Sequence, residues 1–142
     1  MSQSMYTSPH SRAASAYKRV NVETSFNPDD KHHVVSMLLD GVVQSLVEAR
    51  GAMQRGDVVA RVKAIGKAVR IIEEGLKPGL DKQDGGDLAQ NLEGLYGYCT
   101  MRLALANARN DESIVEEVGR LMADIASAWK DIKSDTTNAT GA

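Results

Sequence analysis

Apolar residues recur along this chain at spacings of three and four, the rhythm of helices that bury one side. Asn27 can cap a helix, Pro28 suits its first position, and Asp29 and Asp30 fall where the helix dipole favours carboxylates. The pattern then predicts a helix to about Gln54, with Val35, Leu39, Val42, Leu46, Ala49 and Met53 on one side and Leu38 widening the stripe. Gly56 ends it and Asp57 caps the next, expected from Val58 to about Leu76. The inward stripe of this second helix reads as Val58, Val62, Ile65, Val69, Ile72 and Leu76, with Ala64, Ala68 and Ile71 on another side. Lys77-Pro78-Gly79 stops it, because proline has no amide hydrogen and clashes with the preceding turn.

The stretch from Asp84 to Asn110 carries two stripes. Leu88, Leu92, Leu95, Cys99, Leu103 and Ala106 form one, and Tyr98, Met101, Leu105 and Ala108 form the other, with Tyr96 between them. A helix at the edge of a small domain needs one apolar face, so this one is either central or lends a face to a partner. Asn110-Asp111 breaks and recaps the chain, and the last helix carries Ile114, Val118, Leu121, Met122, Ile125, Trp129 and Ile132. Four long helices with short connections predict an all-α protein, an antiparallel four-helix bundle with up-down-up-down order. Residues 1–15 read as a flexible Ser-rich arm, 16–133 as the single bundle domain, and 134–142 as a disordered polar tail. Within 16–24, AYKRVNVET, Tyr17 and Val20 make a small apolar patch suited to packing on the outside of the bundle.

Composition narrows the picture. Of 142 residues, 42% are hydrophobic and only 4% aromatic, and β-branched residues rarely alternate with polar ones, so a sheet is not expected. The net charge of −2 argues against a general nucleic-acid binder. One cysteine excludes an internal disulfide framework and suits a reducing compartment. No apolar run approaches the ~20 residues that span a bilayer, so no direct membrane insertion is expected. The N-terminus has no apolar secretory core. The expectation is a cytoplasmic protein.

Candidate chemistry is sparse. His32 and His33 are adjacent, hence about 100° apart on a helix, and cannot share a metal as an i, i+4 pair does; a solvated pair is expected. Cys99 lies on a core stripe and reads as a small hydrophobe. Asp84-Gly85-Gly86-Asp87 lacks the lysine of a phosphate loop and the spaced ligands of a calcium loop, and a turn with a helix cap accounts for it. Asp40, Glu73, Glu74 and Asp81 are not spaced to pair as acid and base. Lys63, Lys67 and Arg70 form a basic stripe followed by Glu73 and Glu74, read as a solvated face. The expectation is a non-enzyme with no cofactor, no metal and no nucleic acid.

What remains is surplus apolar surface. Tyr98, Met101 and Leu105, with Ile71 near them, exceed what a bundle edge should expose. Either the helix is central or covered by the Tyr17 segment, or these residues line a groove for an amphipathic helix or extended peptide. A small regulatory adaptor that binds a folded partner has the same features.

At these residues the chain closely resembles the FliS family of flagellin-specific export chaperones. The match runs from about Tyr6 to Ile132 through MLLDGVVQSLVEAR, GDVVARVKAIGKAVRIIEEGLKPGLD, GGDLAQNLEGLYGYCTMRLALANARND and IVEEVGRLMADIASAWKDI. Asp40-Gly41, Lys67-Ala68, Gly85-Gly86, Asn91-Leu92, Leu95-Tyr96 and Trp129 fall at matching spacings. The family commonly has Ser-Pro where this chain has Asn27-Pro28, and Leu-Tyr-Asp-Tyr where Gly97 stands here. That glycine costs the helix about 0.5 kcal/mol relative to an ordinary residue. The resemblance implies a bundle that binds the disordered C-terminal part of flagellin in the bacterial cytosol. It would prevent premature polymerisation and deliver flagellin to the type III export apparatus by docking on the cytoplasmic domain of the export gate protein FlhA. It also implies that the segment Tyr17 to Val22 covers part of the binding surface and is displaced. The binding-surface candidates are Tyr17, Val20, Ile71, Tyr98, Met101 and Leu105.

Overall fold

The computed structural model describes residues 28–80 and 85–141, with side chains over 30–80 and 85–132. The arm 1–15, the Tyr17–Val20 patch, the Asn27 cap and Asp84 lie outside the described residues. Among those described, four helices and no strand are present: α1 (Pro28–Arg55), α2 (Val58–Arg70, continued by a π-helical segment, Ile71–Leu76), α3 (Gly86–Arg109) and α4 (Glu112–Gly141). α1 packs along α2 and α4, and α3 closes the ring against both.

Contacts between the ends set the directions. His32 at the start of α1 meets Trp129 late in α4, while Arg50 near the end of α1 meets Glu112 at the start of α4. Arg61 early in α2 hydrogen bonds to Asn107 and Asn110 at the end of α3. Neighbours are therefore antiparallel, as the short connections predict.

The turns carry the expected punctuation. Gly56 takes a φ of +71°, open to glycine at little cost, and the Asp57 carboxylate accepts the Ala60 amide hydrogen as an N-cap. Asn110 takes the left-handed conformation (φ 53°) that ends α3. Asp111 then accepts from the Ser113 amide and hydroxyl, and these bonds hold its carboxyl below the usual range. α4 continues to Gly141 and takes in 134–141, a stretch expected as a polar tail; neither glycine nor proline interrupts it from Leu121 to Thr140.

The core runs through all four helices: Leu39, Val42 and Leu46, then Ile65 and Ile72, then Tyr96, Cys99 and Leu103, then Val115, Val118 and Met122. Each large aliphatic side chain buried there contributes roughly 1.5–3 kcal/mol. Two helices sit differently from the expectation. In α2 the buried residues are Ala64, Ile65 and Ala68, whereas Val58, Val59 and Val62 are exposed. The small alanines face the bundle where α1 comes close, and the valines are turned out. In α3, Tyr96 is buried and Leu88 is exposed.

The expected α-helix to Leu76 also changes winding. Over Ile71–Leu76 the bonds reach five residues back, with the Lys77 amide donating to the Ile72 carbonyl at 2.9 Å. This segment meets α1 closely. A side chain at Gly75 would come within 3.2 Å of Leu38, and one at Gly41 within 3.3 Å of the Ile71 Cδ1.

Candidate binding face on the third helix

α3 carries apolar residues on both of its sides. Inward lie Ala89, Tyr96, Cys99, Leu103 and Ala106. Outward lie Gly94, Tyr98, Met101, Ala104 and Ala108, with Leu105 half-buried against the core. Met101 is 61% exposed and Tyr98 38%. Gly94 and Gly97 have open space where a side chain would stand, so the bundle's own packing does not require glycine at either place.

Polar groups at the edge of this face are tied to α4. The Tyr98 hydroxyl donates to Glu117 Oε2 at 2.5 Å, and Arg102 donates to Glu117 Oε1 through Nη2 (2.8 Å) and Nε (3.1 Å). The bonds from Tyr98 and Arg102 hold the Glu117 carboxyl below its ordinary range. The same bond to Glu117 raises the Tyr98 phenol. Only the phenol oxygen of Tyr98 is occupied in this way, and its ring stays partly open to solvent.

Of the expected surface residues, Tyr98, Met101 and Leu105 come together on α3. Ile71 stands on the π-helical segment, half-buried against the core with its Cδ1 near Gly41 on α1. Tyr17 and Val20 lie outside the described residues. Val58 and Val62, expected on the inward stripe of α2, are exposed instead, beside Val59, which is 79% accessible. Ile65, Ile72 and Leu76 of the expected inward stripe are buried, and so are Ala64 and Ala68 of the other, so the buried side lies between the two stripes. A further groove of about 200 Å³ lies between α1 and α4, with Val43, Leu46, Val47, Val115, Gly119 and Ala123 as its apolar walls.

Residues considered for chemistry have structural roles. His32 is not a solvated partner of His33. Its ring stacks on Trp129 with centroids 4.6 Å apart and planes 12° from parallel. Nε2 donates to the Trp129 carbonyl (2.8 Å), and the Trp129 indole donates to the His32 carbonyl (3.0 Å). A neighbour on another helix thus claims the side chain, which sequence adjacency to His33 could not reveal. Cys99 is buried and free, with its thiol pushed up to about 11, chiefly by desolvation. Burial likewise pushes the Tyr96 phenol up to about 12. Among the described residues no three His, Cys, Asp or Glu side chains are placed to hold a metal ion. No described helix is long and apolar enough to cross a membrane.

Fold and surface together define an all-α bundle whose third helix is apolar both inward and outward. The chain belongs to the FliS family: the model of that family, described as flagellar protein FliS, matches residues 13–136. The chain is 47% identical to the flagellar secretion chaperone FliS of Salmonella typhimurium over 117 residues, 82% of this chain and 87% of the relative. It is 42% identical to the protein of the same name from Escherichia coli over 120 residues, 84% and 88% of the two chains. It is 38% identical to the flagellar secretion chaperone FliSB of Pseudomonas aeruginosa over 121 residues, 85% and 95%. Membership supports a role as a flagellar export chaperone.

Proposed function

We propose that the outward side of α3 receives the disordered C-terminal segment of flagellin in the cytosol. Covering that segment stops premature polymerisation and keeps the subunit fit for export. The loaded complex is then handed to the type III export apparatus through the cytoplasmic domain of FlhA. The role needs no catalysis.

One observation carries this reading: a helix side made of Gly94, Gly97, Tyr98, Met101, Ala104 and Ala108 faces outward in a chain that is 25% charged. A disordered client folds against such a surface by burying apolar area, and small residues allow its backbone to come close.

Calorimetric titration tests it, with full-length flagellin and with flagellin lacking its C-terminal segment. Tight binding of the first alone, with a large negative heat-capacity change, is expected. Equal binding of both would place the contact on folded flagellin. Binding of neither would leave the adaptor of a folded partner as the better reading.

A further inference from the structure

Cations on this bundle fall into two groups. Arg50, Lys77, Arg102, Arg120 and Lys130 each pair with a carboxylate, and Arg61 is held by two asparagines. Among the described residues Lys31, Arg55, Lys63, Lys67, Arg70 and Arg109 have no ion-pair partner, and three of them, Arg55, Lys63 and Lys67, line one groove between α1 and α2. Its volume is about 340 Å³, and its other lining residues are Ala60, Ala64 and Glu48.

The groove has a small-residue floor and a basic rim. Ala64 is buried and Ala60 half-buried, so the two helices leave a shallow channel between them. Lys63 and Lys67 stand one turn apart on the α2 wall, where like charges weaken an isolated helix. Across from them, the Arg55 guanidinium lies back along α1 over Gly51, where a side chain would come within 3.2 Å of it. Among the residues that line the groove, Glu48 alone is acidic beside these three charges. Folding does not call for such a concentration of positive charge in a chain whose net charge is −2. Complementarity to a negative partner does.

We infer that the α1–α2 groove docks an acidic peptide segment of a protein partner, its carboxylates meeting Arg55, Lys63 and Lys67 over the Ala60–Ala64 floor. The channel shape favours a single peptide over a flat lipid surface. The described aromatic residues, Tyr96, Tyr98 and Trp129, stand on α3 and α4, so the groove has no stacking platform for nucleic-acid bases. This site is separate from the α3 face and does not depend on what that face binds.

The experiment is a fluorescence anisotropy titration of the full chain with a labelled glutamate-rich peptide, beside its glutamine counterpart, a single-stranded oligonucleotide and phosphatidylserine vesicles. The glutamate peptide should bind, and its affinity should fall steeply as salt rises. Reversing Lys63→Glu with Lys67→Glu should weaken it by about tenfold or more, while Lys31→Gln, an exposed cation outside the groove, should leave it unchanged. Both reversed side chains are exposed, and a thermal melt checks that the double variant folds. Equal binding of the glutamine peptide, or indifference to the reversal, would overturn the inference. So would binding of only the oligonucleotide or the vesicles. The flagellin titration on the same double variant separates the two sites: unchanged flagellin binding supports a distinct groove, and its loss would place the groove on the client's path and overturn it.

Discussion

α3 and α4 are adjacent, antiparallel, and both committed to the core, yet they meet water differently along their middles. Along α4 the exposed residues are mostly polar, Ser113, Glu117, Arg120, Asp124, Ser127, Lys130 and Asp131, with Ala123, Ala128 and Ile132 among them. From Gly94 to Ala108 the exposed residues of α3 are Gly94, Tyr98, Met101, Ala104 and Ala108, while Asp87, Gln90, Asn91 and Arg109 are exposed towards its ends. Folding needs the inward stripe alone, and α4 shows how such a helix ordinarily meets water. Folding therefore does not account for the lack of polar residues at the exposed positions from Gly94 to Ala108. Contiguous exposed apolar surface of this kind marks interaction sites.

The sharpest way to break this comparison is to exchange the roles of the two sides of α3. Leu103 is fully buried between the helices. Leu103→Ala should lower the unfolding free energy by about 2–5 kcal/mol, read as a shift of the urea midpoint. Met101, two residues earlier, should behave in the opposite way. Met101→Glu should change stability by no more than about 0.5 kcal/mol, yet weaken flagellin binding by about tenfold or more. Asp124→Ala on the outside of α4 should alter neither. If Met101→Glu unfolded the bundle, the outward side would be core after all, and the client reading would lose its support.

How much of this could be read beforehand depends on which physical signal was local. Helix ends were legible because Gly56-Asp57, Lys77-Pro78-Gly79 and Asn110-Asp111 act through their own backbone: a positive φ, a missing amide hydrogen, a capping carboxylate. Rotation of a helix about its axis was less legible. α2 carries a valine stripe and an alanine stripe, and hydrophobicity alone prefers the valines for the inside. Packing against α1 buries Ala64 and Ala68 beside Ile65, Ile72 and Leu76 and leaves Val58 and Val62 outside, a property of the pair of helices and not of either sequence. The π-helical winding, with Ile71 near Gly41 and Gly75 near Leu38, lies at the same contact. Tyr98, Met101 and Leu105 were found on one face because all three lie on one regular helix, where spacing determines neighbours.

Two tyrosines two residues apart sharpen the comparison further. Both phenols are raised, for different reasons: Tyr96 by burial first and then by Cys99, Tyr98 by its bond to Glu117 first. A phenol whose folded pKa exceeds its unfolded value stabilises the fold fully below the unfolded pKa and ceases to do so as pH rises through the folded one. For Tyr96 that window opens near 10.0 and closes at about 12. For Cys99, raised by desolvation from 9.0 to about 11, it lies lower. Denaturant midpoints should therefore fall as pH is raised through this range, and Tyr96→Phe with Cys99→Ala should flatten the fall. Glu117→Ala should return Tyr98 towards its ordinary value in an ultraviolet titration, with Tyr98→Phe as the reference, and leave Tyr96 ionising only as the bundle opens. Simultaneous ionisation of both tyrosines in the native protein would mean that the two sides of α3 do not differ in solvation as described.

The smallest expected effect is also the most discriminating, because it sets stability against binding at one position. Gly97 has a helical backbone and nothing within 4 Å of where a side chain would begin. Gly97→Ala should therefore stabilise the helix by about 1 kcal/mol, the ordinary difference in propensity, seen as a small rise in the urea midpoint. A residue kept only for folding would gain from this change without cost. If the client's backbone approaches α3 here, the added methyl holds it off, and flagellin affinity should fall severalfold even as the free protein becomes more stable. Asp124→Ala, on the outside of α4, offers the control in which no such opposition appears. Greater stability with unchanged affinity would move the client's path away from Gly97 towards Met101 and Leu105. Opposite signs in the two measurements would mean that the outer side of α3 is shaped for a partner at the bundle's own expense.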